Sequence, residues 1–416
     1  MSAAPGEAIK LEFKIAQNEA DRKRIYEFRY KVLVEELGLS PPGADATAKT
    51  VRDAMDDRAY HFFVTGRQGA VAGAVRINLL KLGPLPERLA KAYQVETFKA
   101  VVKDAISFTD PVIVSRDYRT TNAPALLLGA AYKTVRGQGS KFDFCHCQPA
   151  HVALYEALGY RRFGDNFVNE VDEYQVPLVM VLEDVQHLST MGSPLARLAQ
   201  GFPNGRETSA WFLQKFPQSA AQQSGGMDEE KFWKLLTDKM HQTPLVGIPL
   251  LAGLEYRDAK KFLKYGTMLR GKRGDVIVRA GAIGKEMYII LTGDVEVRSP
   301  LKDGQKLLAK FGKGGLFGEM AFLSARPRTA DVIAASDVEL LVMSQDFLTK
   351  AMKALPEISS RVLFNLALVL VQRVEDANKR ASGVAPAAAP GQPKPMAPGA
   401  ASAPPPAVAV ADPFAN

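Results

Sequence analysis

The stretch FGEMAFLSARPRTADV, residues 317–332, holds an acid at Glu319 among apolar residues and, behind a proline, an arginine at Arg328. Carboxylates and guanidiniums avoid apolar interiors unless something pairs them. Gly318 allows backbone to approach a ligand closely, and the amides from Gly318 to Ala321 can open a short helix whose N-terminus attracts anions. Arg328 offers a forked, permanently charged donor suited to phosphate. Glu319 can accept a hydrogen bond from a hydroxyl. A ligand that uses all three is a phosphorylated sugar with a free hydroxyl near the phosphate.

Working outward, ten glycines fall between Gly271 and Gly318 and separate short apolar runs such as VIV and MYIIL. Frequent turns between short strands predict an all-β jelly-roll barrel. It is preceded from about residue 227 by helical segments. It is followed by a helical stretch, PEISSRVLFNLALVLVQRVEDANKR, with Ile358, Val362, Leu366, Val369 and Val374 near one face. The barrel and its flanking helices are expected over 227–380. From 381 to 416, 22 of 36 residues are Ala or Pro, a composition that cannot bury a core and predicts disorder.

Residues 9–185 alternate two patterns. EFKIA, HFFVTG, AVAGAVRINLL, PVIVS, FDFCHC and QVPLVMVLE read as strands. NEADRKRIYEFRYKVLVEELG, APALLLGAAYKTVRGQG and PAHVALYEALGY read as helices, the first capped by Asn18 and ended by Gly38. This mixture predicts an α+β domain, a sheet with flanking helices. Residues 186–226, with GFPNGRE and QQSGG, read as a linker. The chain has 416 residues, 47% of them hydrophobic, enough for two or three domains. The run LALVLV is too short to span a membrane, and residues 1–15 have no secretory signal pattern, so the cytoplasm is the expected location. Cys145 and Cys147 flank His146; a lone CHC cannot complete a zinc site, so reduced thiols and no metal are expected. The net charge of +8 is spread along the chain and reads as a generically basic surface.

FGEMA followed by ARPRTA resembles the phosphate-binding cassette of cyclic-nucleotide-binding domains, and the similarity extends over roughly 245–375 through RGDVIVRAG and MYIILTGDVEV. The resemblance implies that Glu319 holds the ribose 2′-hydroxyl and that Arg328 holds the cyclic phosphate with the backbone of Gly318, Met320 and Ala321. Thr329 stands where cGMP-selective relatives contact the guanine amino group; cAMP and cGMP both remain open.

PVIVSRDYRTTNAPALLLGAAY and FDFCHCQPAHVALYEALGYRRFG resemble the Gcn5-related N-acyltransferase superfamily over roughly 9–185. In that fold the strand at Val112, Ile113 and Val114 splays from its neighbour and pairs with the pantetheine arm of the acyl donor. The turn at Arg119, Thr120, Thr121, Asn122 and Ala123 offers backbone N–H groups to the donor's phosphates. Here RTTNAP replaces the usual glycine-rich turn: Asn122, which tolerates left-handed geometry, stands for a glycine, and Pro124 has no N–H to give. The donor is therefore either acyl-CoA or an acyl carrier protein, which is acidic where this chain is basic. IYEFRYKVLVEELG and DDRAYHFFVTGRQGAVAGAVRINLL are similar to the first half of acyl-homoserine-lactone and N-acyl amino acid synthases. That likeness implies an acceptor site organised by Arg29, Asp56 or Asp57, and Arg76. Asp110 stands where those synthases carry a Ser-Arg pair. Tyr155 matches the superfamily's general acid and Asp57 is the candidate base; Glu156 is read as solvated, and His146 and His151 as structural.

The combined expectation is an N-acyltransferase regulated by a cyclic nucleotide, acting on an amino acid or small amine. The alternatives are a protein lysine acetyltransferase and a non-enzymatic sensor with an inactive acyltransferase fold. A homodimer is compatible with either. No helix-turn-helix is expected beyond the barrel, so nucleic acid is not an expected partner.

Overall fold

The computed structural model describes residues 11–381, except 120, 169–173, 218, 220–228, 264–265, 283–285, 300–305 and 325–326. Thr120, QQSGG, Gly284, Gly304 and the Ala/Pro tail beyond Ala381 therefore lie outside the described residues. Residues up to Asn365 form one compact unit and those from Leu366 a second, in which the last helix runs on to Ala381.

The first half is a nine-stranded sheet. Its strands are β1 (Glu12–Ile15), β2 (Tyr60–Thr65), β3 (Val71–Leu79), β4 (Ile106–Thr109), β5 (Ile113–Val114), β6 (Phe142–Cys147), β7 (Arg161–Arg162), β8 (Phe167–Val168) and β9 (Tyr174–Val181). The order is β1-β2-β3-β4-β6-β9-β8, with β5 on β3 and β7 on β9. Only the β4–β6 pair is parallel among these. Strands β3, β6 and β9 read as near-continuous apolar runs because helices cover both faces of the sheet.

Helix α1 (Glu19–Arg29) starts as expected, with the Asn18 side chain accepting from the Asp21 amide. It continues as a π-helical segment, Tyr30–Glu36, and the chain turns at Gly38, whose φ is +68°. Ile25, Phe28 and Val32 pack on Phe63 and Ala74. Helix α4 (Ala123–Gly137) buries Ala123, Leu127, Ala131 and Val135 against the same face of the sheet as Tyr155. The opposite layer is aromatic: Tyr93, Phe98, Phe108, Phe142 and Phe144 share a core with α2 (Glu87–Ala92) and α3 (Val95–Val102), two helices the pattern reading did not anticipate.

Two expectations change. PVIVS is not one strand: only Ile113 and Val114 pair, because the chain has left β4 and joins β3 separately. The expected linker carries three helices before residue 216: α6 (Val185–Thr190), α7 (Ala196–Ala199) and α8 (Glu207–Lys215). Phe212 and Phe216 are buried against Phe98, with ring centroids 6.4 and 5.5 Å away. The Gly/Pro-rich GFPNGRE supplies only the turn before α8; the apolar WF pair and Phe216 anchor the segment.

The second half begins with α9 (Glu229–Met240) and α10 (Tyr256–Leu263). It then forms two four-stranded antiparallel sheets. One has the order β10 (Thr267–Gly271), β17 (Val338–Ser344), β12 (Glu286–Thr292), β15 (Leu316–Phe317). The other has β11 (Val276–Val278), β16 (Asp331–Ala334), β13 (Val295–Ser299), β14 (Lys306–Phe311). Helices α11 (Glu319–Ser324), α12 (Gln345–Ala354) and α13 (Pro356–Ala381) complete it. The architecture is an α+β sheet domain followed by an all-β jelly roll with flanking helices. On α13, Ile358 and Val362 are buried, whereas Val374 is exposed.

If α8 belongs to the core of the sheet domain, Phe212→Ala should lower unfolding free energy by roughly 3–5 kcal/mol. Urea denaturation measures this; an unchanged midpoint would mean that α8 is a loose connector.

Candidate functional site

The sheet opens where the chain passes from β4 to β5. Strand β6 pairs with β4 only as far as Phe144. Beyond it Cys145, His146 and Cys147 pair with β9, while Ile113 and Val114 pair with Ala74 and Gly73 of β3. Ser115 extends this pairing through its amide to the Ala72 carbonyl, 3.0 Å. The facing edges of β5 and β6 thus diverge. Tyr155, on α5 (Val152–Leu158), sits by the gap: its hydroxyl lies near the Cys145 thiol and the backbone of Val112. Burial holds the Tyr155 hydroxyl well above its usual pKa, so it stays protonated.

Beneath Tyr155 lies a buried polar cluster that pattern reading missed. Asp143 accepts from Ser107 Oγ at 2.6 Å, Thr109 Oγ1 at 3.0 Å and the Tyr160 hydroxyl at 2.6 Å. The Tyr160 ring meets that of Tyr155 edge-on, centroids 5.6 Å apart. Burial pushes the Asp143 carboxyl up to about 6, against the pull of its three donors. A signal existed: an acid between two phenylalanines in an otherwise apolar strand.

Arg29, Arg76 and the acids near them form a second buried network. Arg29 Nη1 donates to Asp56 Oδ1 at 2.7 Å. Arg76 Nη1 reaches the same oxygen at 3.0 Å and Asp53 Oδ1 at 2.6 Å, while its Nε donates to Asp110 Oδ2 at 2.5 Å. His61 Nε2 lies 3.1 Å from the Asp56 carbonyl oxygen. Burial alone would raise the Asp56 carboxyl, but Arg29 and Arg76 outweigh it and hold the group below the usual carboxylate range. Burial pushes His61 down, so it is neutral at pH 7. Asp57 is a correction. Its side chain is 64% exposed and pairs with Arg52, so it stands outside the buried network that Asp56 joins. Successive residues of the 3₁₀ turn Asp56–Arg58 point about 120° apart, so only Asp56 enters the core. Asp110 also bears on the Cys145 thiol, which is pushed up first by burial and then by Cys147, Asp143 and Asp110.

The turn expected to meet the donor is also specific. Arg119 folds back, its Nε donating to the Val114 carbonyl at 3.0 Å, with Glu36 3.5 Å from its Nη2. Asn122 has φ −80° and ψ 5°, so the expected left-handed geometry is absent. The Ala123 amide donates to Thr121 Oγ1 at 3.2 Å, and Thr121 Oγ1 donates to the Tyr118 carbonyl at 2.7 Å. Glu156 is another correction: it is 2% exposed, not solvated, and accepts from Arg162 Nε at 2.8 Å.

In the barrel, Gly318 has φ +83°, and a Cβ there would lie 2.8 Å from Arg328 Nη1 and 2.9 Å from the Glu286 carbonyl oxygen, so only glycine fits. Arg328 is 7% exposed. Its Nη1 donates to the Glu286 and Gly318 carbonyls at 2.8 and 2.9 Å, and its Nη2 to Glu286 Oε2 at 2.7 Å. The guanidinium lies 5.9 Å from the Tyr288 ring centroid, and Tyr288 stacks on Phe317. Glu319 and Ala321 are buried; Met320 and Thr329 are exposed. Glu286 was not foreseen, although an acid opening the apolar run MYIIL marks it.

Residues 28–129 match the family model for the acetyltransferase (GNAT) domain, and residues 269–354 match the model for the cyclic nucleotide-binding domain. The chain therefore carries the two modules in that order. It is similar to the cyclic AMP receptor protein of Thermus thermophilus, 32% identical over 32% of this chain and 60% of that protein. It is also similar to a cAMP-dependent protein kinase regulatory subunit of Blastocladiella emersonii, 30% identical over 32% of this chain and 35% of that one. The chain thus spans less than two thirds of these curated relatives. Among solved structures, a Thermus thermophilus catabolite activator protein aligns with 29% identity and a TM-score of 0.30 over 33% of this chain and 62% of that chain.

The Asp143 cluster has a pH signature. Because folding raises this carboxyl from 3.8 to about 6, its contribution is fully present below the unfolded value and is lost as pH rises through about 6. Asp143→Asn should remove that dependence. The wild-type advantage over the variant should shrink by on the order of 2 kcal/mol between pH 4 and pH 7, read from urea midpoints; parallel pH curves would contradict it.

Proposed function

We propose that this chain is an N-acyltransferase whose output is set by a cyclic nucleotide. It would move an acyl group from acyl-CoA, or from the phosphopantetheine of an acyl carrier protein, to the amine of an amino acid or another small amine. The observation that carries this reading is Tyr155, kept protonated by burial and placed by the gap near Val112. The pantetheine arm would lie along the open edge of β5 as an added strand. A backbone N–H there would polarise the thioester carbonyl. The amine attacks the carbonyl carbon, Asp110 takes its proton through water, the C–S bond breaks, and Tyr155 protonates the departing thiolate. Arg76 holds Asp110 in place, and Arg29 and Arg76 together rim the acceptor side.

In the barrel, the cyclic phosphate would dock on Arg328, sharing it with Glu286, while Glu319 takes the ribose hydroxyl. The relatives named for cyclic AMP make cAMP the first ligand to test, with cGMP the alternative. The cytoplasm is the proposed location. A second reading, a sensor without catalysis, draws on the donor turn, where Arg119 and the Ala123 amide are already engaged by their own chain.

Thiol release from acyl-CoA and acyl carrier donors, with an amine panel and either cyclic nucleotide, tests the proposal. Tyr155→Phe should lower kcat by about 10²-fold with little change in donor KM. Absence of thiol release from every donor, with or without nucleotide, would favour the sensor. Arg328→Ala should abolish the calorimetric heat of nucleotide binding while basal transfer persists; undiminished heat would overturn the assignment of the phosphate site.

A further inference from the structure

Helix α5, which carries Tyr155, is tied to the barrel at both ends. The turn Pro149–His151 that opens it lies against β10 and β17. Near its other end, Glu156 accepts from Arg162 Nε at 2.8 Å, and Nη1 of the same guanidinium donates to the carbonyl of Met268 on β10. Both side chains of this ion pair are buried. A buried carboxylate that loses its partner is costly, and so is a buried N–H donor that loses its acceptor. Arg162 can serve both partners only while Glu156 and Met268 keep their present separation.

Strand β10 belongs to the sheet that lines the nucleotide pocket. Met268 pairs with Leu341, and Leu341 pairs with Ile289 of β12. Strand β12 also carries Glu286, which holds Arg328, and Tyr288, which pairs with Phe317 immediately before Gly318. A displacement of Arg328 or Gly318 therefore acts on the sheet whose edge strand meets Arg162 at Met268. Elsewhere along the seam, Tyr174 donates to Asp275 at 2.9 Å and Lys272 pairs with Asp165 at 2.7 Å. Beside these contacts is a cleft of about 850 Å³, bordered by Arg162, Asn166, Met268, Arg270 and Glu339, which leaves room for the barrel to shift.

We infer that Arg162 is the positioning residue through which the nucleotide pocket sets the placement of Tyr155, by holding Glu156 of the acid's helix and Met268 of the barrel with one guanidinium. This rests on the acyltransferase and nucleotide assignments above and adds the route between them. Changes in nucleotide affinity and in donor affinity must then be reciprocal, because both act on one equilibrium.

The test uses the full chain. Glu156→Gln/Arg162→Gln removes both charges of this pair together. The variant should bind cAMP with an affinity within about twofold of wild type and retain measurable basal thiol release, while the activity ratio with and without nucleotide falls to within about twofold of one. The wild type's donor-induced change in cAMP affinity should vanish in parallel. Lys272→Ala, on an exposed seam contact, should keep the wild-type ratio. A double variant that keeps the wild-type ratio overturns the inference. Should the variant not fold, hydrogen exchange of wild-type amides 152–158 replaces it: changed protection on adding cAMP supports the route, and unchanged protection overturns it. A wild type that neither binds nor responds to cyclic nucleotide overturns the functional reading itself, and the route with it.

Discussion

A guanidinium buried beside a carboxylate, Arg328 on Glu286, is the constraint on which the barrel's site depends. Three hydrogen bonds fix the arginine, two of them to backbone carbonyls of residues 286 and 318. The closeness of that approach leaves no space for a Cβ at residue 318 and sets the entry angle of α11 with Glu319. An unpaired arginine here would be too costly to bury. Glu286 keeps it in place.

The sheet domain solves a different problem. Its central strands must pair to satisfy their backbone groups, yet the sheet keeps an open edge beside β5. Splitting the chain between β4 and β5, both laid on β3, leaves β6 partnered by β9 and exposes a gap without unfolding either half. Tyr155 sits by that gap. The buried Arg29–Asp56–Arg76 network holds the 3₁₀ turn Asp56–Arg58 and Asp110 against β3, which keeps the rim of the gap rigid. The two modules share one continuous hydrophobic core, in which Tyr174 and Val176 of β9 join Ile277 and Val278 of β11.

What could be read from the chain follows the range of the forces involved. Strands β2, β3, β6 and β9 were legible because apolar runs are local signals. The capping of α1 by Asn18 and the turn at Gly38 were legible for the same reason. Helices α2 and α3 were not seen, since their short, mixed segments have weak periodicity and are held by Phe98 and Tyr93 in the aromatic core. The GFPNGRE composition suggested a linker, and burial of Phe212 and Phe216 overrode it.

The sequence by itself determined the two modules and put forward Gly318, Glu319, Arg328 and Tyr155 as candidates, because the likenesses that carry them rest on short continuous stretches of residues. The tertiary structure alone decided the partners. Arg328 meets Glu286 across 42 residues. Asp56 rather than Asp57 enters the core, and Glu156 is buried on Arg162 instead of facing water. The physical reason is that the partner of a buried charge is set by which strands become neighbours and which face each presents, and neither is encoded within a few residues of the charge itself.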